Sequence, residues 1–246
     1  MNILVCISKT PDTTSKISFK DNNTEYNSDG VNFIVNPYDE WYALVRGLEL
    51  VEQNGGNLTV INVGDASNDI IIRKALAIGA NDAVRIDLAK PDGFLTAKNI
   101  ADYALSKNFD LILTGKETID YNGSQVGAML SELLDLPYVS YASHLAFTDD
   151  IFTITREIEG GNEVVAVNGA CVVSAAKGLA EQRIPNMKGI MMAKNKPLVV
   201  TAPTATDLRV NTVSFILPEG KKGVRLIDPN DMDELVRLLH EESKVI

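Results

Sequence analysis

Apolar residues in this chain are grouped in short runs and helical stripes, separated by turns rich in Gly, Pro, Asn and Asp. Asn2 to Ile7 is a continuous apolar run, the pattern of a strand buried on both faces of a parallel sheet, and it ends in Ser8, Lys9 and a Thr-Pro-Asp turn. From Thr10 to Asn36 the pattern is irregular, with weak alternation over Lys16 to Tyr26 that predicts a small hairpin outside the main sheet. A helix start follows. Asn36 can cap it, Pro37 fits the first helical position and Asp39 falls in the first turn. Trp41, Leu44, Val45, Leu48 and Val51 then share a face until Gly55-Gly56 stops the helix. Leu58 to Val63 reads as a second strand. Gly64 and Asp65 turn into a helix near Ile70 to Ile78, with Ile72, Ala75 and Leu76 inward and Gly79 as its cap. Ala83 to Ile86 is strand-like, Thr96 is a candidate cap for a helix carrying Ile100, Ala101, Ala104 and Leu105, and Leu111 to Thr114 returns to strand. This alternation predicts an α/β fold whose parallel sheet is covered on both faces by right-handed crossovers.

Gly115 to Leu130 is the stretch around which the rest is arranged. Polar turn residues lead into Val126, Met129, Leu130, Leu133 and Leu134 at helical spacing. Gly123 and Gly127 remove side chains where a phosphate would approach backbone amides at a helix start. The same residues also suit an ordinary strand-to-helix turn, and the stretch is neither a P-loop nor a G-x-G-x-x-G fingerprint. Past Pro137 the character changes. Ile151 to Ile158 and Glu163 to Val167 flank Gly160-Gly161 as an antiparallel hairpin, and Ala170 to Ala175 could rejoin the sheet. Lys177 to Pro197 carries Leu179, Met187, Ile190, Met191 and Met192 with weak periodicity, as either a partner surface or cover for the chain's own core. Leu198 to Leu226 reads as extended. Asp228 or Pro229 starts a last helix with Met232, Leu235, Val236 and Leu239 inward.

Composition narrows the function classes. The 246 residues are 45% hydrophobic and 23% charged, enough for one large or two small cores. A net charge of -10 disfavours nucleic acid and anionic lipid as partners, since both reward a basic face. No apolar run reaches the ~20 residues of a membrane span, and the opening MNILVCISKTPD lacks the features of a signal peptide, so direct membrane insertion is not expected and the expected location is cytoplasmic. Cys6 and Cys171 lie inside apolar runs and read as core residues. His144 and His240 are far apart and read as structural or surface residues, and no catalytic triad, carboxylate pair or metal spacing is visible.

Taken together, ILVCISKTPD at 3 to 12, the passage ending in NPYD at 36 to 39, LAIGAN at 76 to 81, GKETIDYNGSQVGAM at 115 to 129, REIEGG at 156 to 161 and the segment from Leu179 to Lys194 resemble the beta subunit of electron transfer flavoprotein. The match runs nearly end to end in order and spacing. It implies an adenine nucleotide alpha hydrolase-like, Rossmann-like domain over 1–193, with an antiparallel hairpin excursion and a partner-recognition segment near 177–194. An extended C-terminal arm ending in a helix, 194–246, would embrace an alpha subunit in a heterodimer. The family is a carrier in electron transport, not an enzyme. Its beta subunit buries AMP, while FAD is held mainly by the alpha subunit and shuttles electrons from acyl-CoA or other dehydrogenases, as in fatty acid oxidation, to a quinone oxidoreductase or another acceptor.

Carried over by position, the AMP contacts implied are Cys6, Asn36, Pro37, Tyr38, Asp39, Val63, Asp120, Asn122, Gly123, Ser124, Gln125, Val126 and Gly127, within a stretch reaching Ser131. Tyr38 would also lie near the alpha-subunit flavin, or pack on its own chain as a helix-start aromatic. Leu179 matches a leucine that plugs into the partner dehydrogenase, and Glu163 a position that influences flavin-domain mobility. Ser8 stands where many members carry Lys, and Thr13 where some carry an aromatic. The loop IDYNGSQVG falls between the AMP-binding form and the electron-bifurcating form, in which a second FAD replaces AMP and NADH is oxidised. A stand-alone ATP-binding regulatory protein on the same fold is the alternative from another class.

Overall fold

The opening apolar run folds as β1 (Asn2–Cys6), with Ile3, Val5 and Ile7 packed into one core and Leu4 and Cys6 into the other. Both faces of this strand are covered, as a continuous apolar run requires. The computed structural model describes residues 1–220 and 223–246, and within them the chain divides into two units. One is built from Met1–Ile17 with Asn27–Val213, the other from Ser18–Tyr26 with Ser214–Ile246.

After β1 come β2 (Lys9–Pro11), β3 (Phe19–Lys20), β4 (Glu25–Tyr26) and β5 (Phe33–Val35), then α1 (Asp39–Asn54). The hairpin expected over 16–26 is the β3–β4 pair; β2 and β5 form a further antiparallel pair in the stretch read as irregular. Asn36 is not the cap of α1: Tyr38 holds that position, and no side chain supplies the capping bond. β6 (Asn57–Val63), α2 (Asp69–Ile78), β7 (Asp82–Ile86), α3 (Gly93–Leu105) and β8 (Leu111–Gly115) follow in the expected order. The cap of α3 is Asp92, whose carboxylate accepts from Leu95 N, and Thr96 lies inside the helix. α4 (Val126–Leu134) completes the αβ alternation.

β9 (Tyr138–Thr148) was not legible in the sequence; β10 (Ile151–Ile158), β11 (Gly161–Asn168) and β12 (Cys171–Ala175) were. α5 (Met187–Ala193) and β13 (Leu198–Thr201) come next. All the long strands form one nine-stranded sheet in the order β11-β10-β9-β12-β8-β1-β6-β7-β13. From β12 to β13 the pairs are parallel, and β9 joins the two styles, parallel to β12 and antiparallel to β10. The hairpin therefore extends the sheet. Helices α1 and α2 cover one face, α3 and α4 the other.

The segment expected as an arm from 194 onward divides. Its first residues add β13 beside β7, and Asn99 of α3 accepts from Thr204 N at 2.7 Å and donates to Ala205 O at 2.9 Å. In the smaller unit Phe19 stacks on Phe215 with centroids 4.5 Å apart, and Phe215 N donates to Asn23 O. Its helix α6 (Met232–Arg237) is capped by Asp231 and runs on into a wider turn over Leu238–Glu242. Within the extended run, 221–222 lie outside the described residues.

Candidate functional site

The sheet order places β1 between β6 and β8, and the chain goes from β1 to β6 and β7 on one side before crossing to β8 on the other. The connections therefore reverse direction between β1 and β8, and a crevice opens beyond the carboxyl ends of those two strands, where ligands of such sheets bind. Cys6 closes the end of β1, buried with Leu4, Ile61 and Val63; burial first, and the nearby Glu40 second, push its thiol up, so it packs and does not react. Val63 ends β6 in the same core. Beside it, an amide chain links the strand ends: Asn68 Nδ2 donates to Asn62 Oδ1 at 2.9 Å, and Asn62 Nδ2 donates to Ile7 O at 2.8 Å. A Cβ on Gly64 would lie 1.9 Å from Asn68 Nδ2 and would displace this amide chain.

Asn36 is wholly buried and does a different job from capping. Its Nδ2 donates to Glu117 O at 2.9 Å, its Oδ1 accepts from Ile119 N at 3.0 Å, and its own N donates to Ser8 O. One residue thereby joins the two loops, its side chain holding the loop after β8 and its backbone the loop after β1. Pro37, Tyr38 and Asp39 line a cavity of about 350 Å³ with Lys116, Glu117, Ile119 and Lys177. Tyr38 is 55% exposed at φ 63 and ψ -90, the centre of a tight three-residue turn closed by Asp39 N donating to Pro37 O, which a bulky residue holds only under constraint. Burial, partly offset by Lys116, pushes the Asp39 carboxyl up to about 6. Lys116 Nζ sits 2.7 Å from Glu117 Oε1 and holds that carboxyl below its ordinary range.

The sequence pattern missed the most buried acid of the crevice. Glu40 accepts from Ser8 N at 2.5 Å and from Ser8 Oγ at 2.8 Å. Its position was available from spacing, since Leu44 and Leu48 extended back by one turn land on residue 40, but an acid beside Asp39 in a first turn reads as a helix-dipole partner.

Asp120, Asn122, Gly123, Ser124 and Gln125 are exposed in the loop leading to α4, with Val126 half-buried and Gly127 buried at its start. The left-handed positions are Asn122 and Ser124, each at φ 49, while Gly123 has only ordinary contacts around its would-be Cβ. Gly127 is the glycine that space demands, with Thr114 Oγ1 and Tyr138 Oη both 2.9 Å from a built Cβ, so it sets how closely α4 approaches β8 and β9. No side chain caps α4, and the buried Thr114 Oγ1 has no hydrogen-bond partner. Free amides at a helix start and an unpartnered hydroxyl beneath it fit an anionic group.

A family profile described as the electron transfer flavoprotein domain matches residues 24–206. The electron transfer flavoprotein subunit beta of Bacillus subtilis is 35% identical, with the whole of both chains covered. The chain belongs to the electron transfer flavoprotein beta-subunit family. The subunit beta of Bradyrhizobium diazoefficiens is 31% identical, again over the whole of both chains. The acryloyl-CoA reductase electron transfer subunit gamma of Anaerotignum propionicum is 30% identical over 81% of this chain and 77% of its own. As a member of this flavoprotein family the chain has a role in electron transfer.

Two residues singled out for partners lie outside the crevice. Leu179 is 4% exposed, with its side chain inside the core cluster that includes α1 and α2 and not presented at the surface. Its segment instead exposes Ile184, Met187, Ile190 and Met191, with Met187 75% exposed. Glu163 lies on β11 and pairs with Arg156 at 3.4 Å. A second hollow, about 410 Å³ and lined in part by Glu52, Arg183, Lys188 and Lys196, lies between α2 and the α5 segment, away from the strand ends. Among the described residues no helix is long and apolar enough to cross a membrane.

Proposed function

We propose that this chain is the beta half of a heterodimeric electron transfer flavoprotein, holding AMP in the crevice between β1 and β8 and helping to enclose an FAD carried mainly by the alpha subunit. The observation that carries the nucleotide is the uncapped start of α4 above the unpartnered Thr114 hydroxyl, where the sheet's connections reverse between β1 and β8. The amides near Gln125, Val126 and Gly127 would hold the phosphate, with Asp120, Asn122 and Ser124 around it and Cys6 and Val63 as the apolar floor. Asn36 fixes this loop without touching solvent. FAD, when bound, supplies one- and two-electron chemistry. Tyr38, exposed beside the Lys116 and Lys177 cavity, is the side chain this half would turn toward it. The dehydrogenase would meet Met187, Ile190 and Met191, and electrons would pass to a quinone oxidoreductase or another acceptor.

The test is co-expression with the alpha chain, purification, and release of bound nucleotides. One FAD and one AMP per heterodimer is the expected result. Two FAD and no AMP would assign the bifurcating form, and a colourless monomer that binds ATP would reject the reading.

A further inference from the structure

A buried carboxyl stands at the junction of the crevice and has no part in the nucleotide contacts above. Glu40 is 5% exposed, on the first turn of α1. Both of its oxygens contact Ser8, the second residue beyond β1. Its side chain also lies against the end of β8, since a Cβ on Gly115 would come within 2.8 Å of Glu40 Cγ. It therefore bridges the two strands between which the crevice opens. The ionisable groups that act on it are Asp120 from the loop after β8 and Asp39 from its own helix, both acids, with the Cys6 thiol on β1 on its inner side. Lys116, in the loop after β8, is engaged with Glu117. Burial first, and these acids after it, push the carboxyl up to about 8 despite the Ser8 bonds.

Resting on the nucleotide reading above, we infer that Glu40 is the positioning residue of the crevice and that it makes uptake of an anionic nucleotide proton-linked. Its hold on Ser8 survives either protonation state. The carboxylate accepts two hydrogen bonds, whereas the neutral acid accepts from Ser8 N and donates its own proton to Ser8 Oγ. The charge does not survive equally. A phosphate brought near Asp120 and the start of α4 adds negative charge beside Glu40, so the complex favours the neutral acid. At neutral pH Glu40 already carries its proton and binding releases nothing. Above about pH 8 the free protein has lost that proton, and binding must take one up from solvent, so affinity falls as pH rises.

The experiment titrates nucleotide-depleted heterodimer with AMP by calorimetry from pH 7.5 to 9.5, above the second ionisation of the phosphate, in buffers of different ionisation enthalpy. FAD serves as titrant in a parallel arm. The expected result is a Kd that rises by up to about tenfold per pH unit at the upper end, with proton uptake approaching one per nucleotide at pH 9.5. Glu40→Gln keeps both Ser8 bonds without the charge and should bind with the neutral-pH affinity at every pH. Ser8→Lys sets an ammonium against the carboxylate and should also abolish proton uptake. Glu40→Ala should bind more weakly than Glu40→Gln at every pH, and with no pH dependence of its own. A wild-type affinity flat across the range, or unchanged pH dependence in Glu40→Gln, overturns the inference and leaves AMP binding standing. Failure to bind either nucleotide at any pH overturns both.

Discussion

Removing the Asn36 side chain would leave Glu117 O and Ile119 N without partners at the base of the loop after β8. Both groups face the wholly buried Asn36 amide, so Asn36→Ala should cost about 1–3 kcal/mol in denaturant unfolding and, on the nucleotide reading proposed above, speed AMP release. Asn36→Asp keeps the acceptor and loses the donor; it should fall between the two. Wild-type stability in Asn36→Ala would mean that the loop holds itself. The acids beside Asn36 set a pH dependence of stability. Asp39 and Glu40 are raised from ordinary values of 3.8 and 4.5 to about 6 and about 8. The folded chain therefore keeps protons that the unfolded chain has lost, and stability falls as pH rises from about 4 through 8. Tm of the nucleotide-free protein should drop across this window, and Glu40→Gln should flatten the drop between pH 6 and 8. A variant profile parallel to wild type would show that the carboxyl is not so buried in solution. None of this was legible locally: the partners of Asn36 lie more than 80 positions along the chain, and NPYD on its own reads as a cap followed by a first-turn proline and acid.

A clean period locates an element and an interrupted one hides it, but the period does not guarantee the buried face: Leu105 on α3 and Met232 and Val236 on α6, expected inward, are each half or more exposed. The interrupted case is β9. Its buried residues are Val139, Ala142 and Leu145, a spacing of three that fits neither strand nor helix, because Tyr141 is left-handed and the pairing slips a register there. The segment around α5 has weak periodicity for another reason: charged side chains at its C-terminal end tie it to α2. Lys196 Nζ donates to Leu76 O, Gly79 O and Ala80 O, closing the C-terminal end of α2. Arg73 of α2 returns the favour, donating to Ala193 O at 2.8 Å and Lys196 O at 2.7 Å. The two cations thus clip α5 to α2 while Leu179 anchors the near end inside the core. Arg73→Met should free the clip at a cost of about 1–3 kcal/mol, speed hydrogen exchange over 183–197 and, on the docking proposed above, slow electron acceptance from a partner dehydrogenase without changing flavin content. Unaltered exchange in that segment would show that apolar packing alone holds it.

At the scale of the molecule, the strand order could be foreseen only as a parallel α/β sheet, since the sequence says which runs are strands but not which edge each one joins. Leu198 to Thr201 illustrates the limit: four residues of an apparently extended arm are the edge strand beside β7. The boundary between units follows from what each stretch can bury. Residues up to Val213 include every strand of the nine-stranded sheet, whereas the stretch from Ser214 onward exposes Ile216, Val224 and Leu226, each close to nine-tenths open to solvent. Apolar side chains so open gain nothing from folding in this chain alone and are what a partner subunit would cover. A chain ending at Val213 should therefore keep a cooperative thermal transition and α/β circular dichroism, yet fail to co-purify with the alpha subunit at micromolar concentration. Substituting Ile216 and Leu226 with Ser in the full chain should weaken that association by tenfold or more, as truncation of buried interface anchors does, with Tm of the isolated chain unmoved. Undiminished pairing in both variants would place the interface on the sheet-bearing unit instead, and would leave the exposed apolar side chains beyond Ser214 for a different partner.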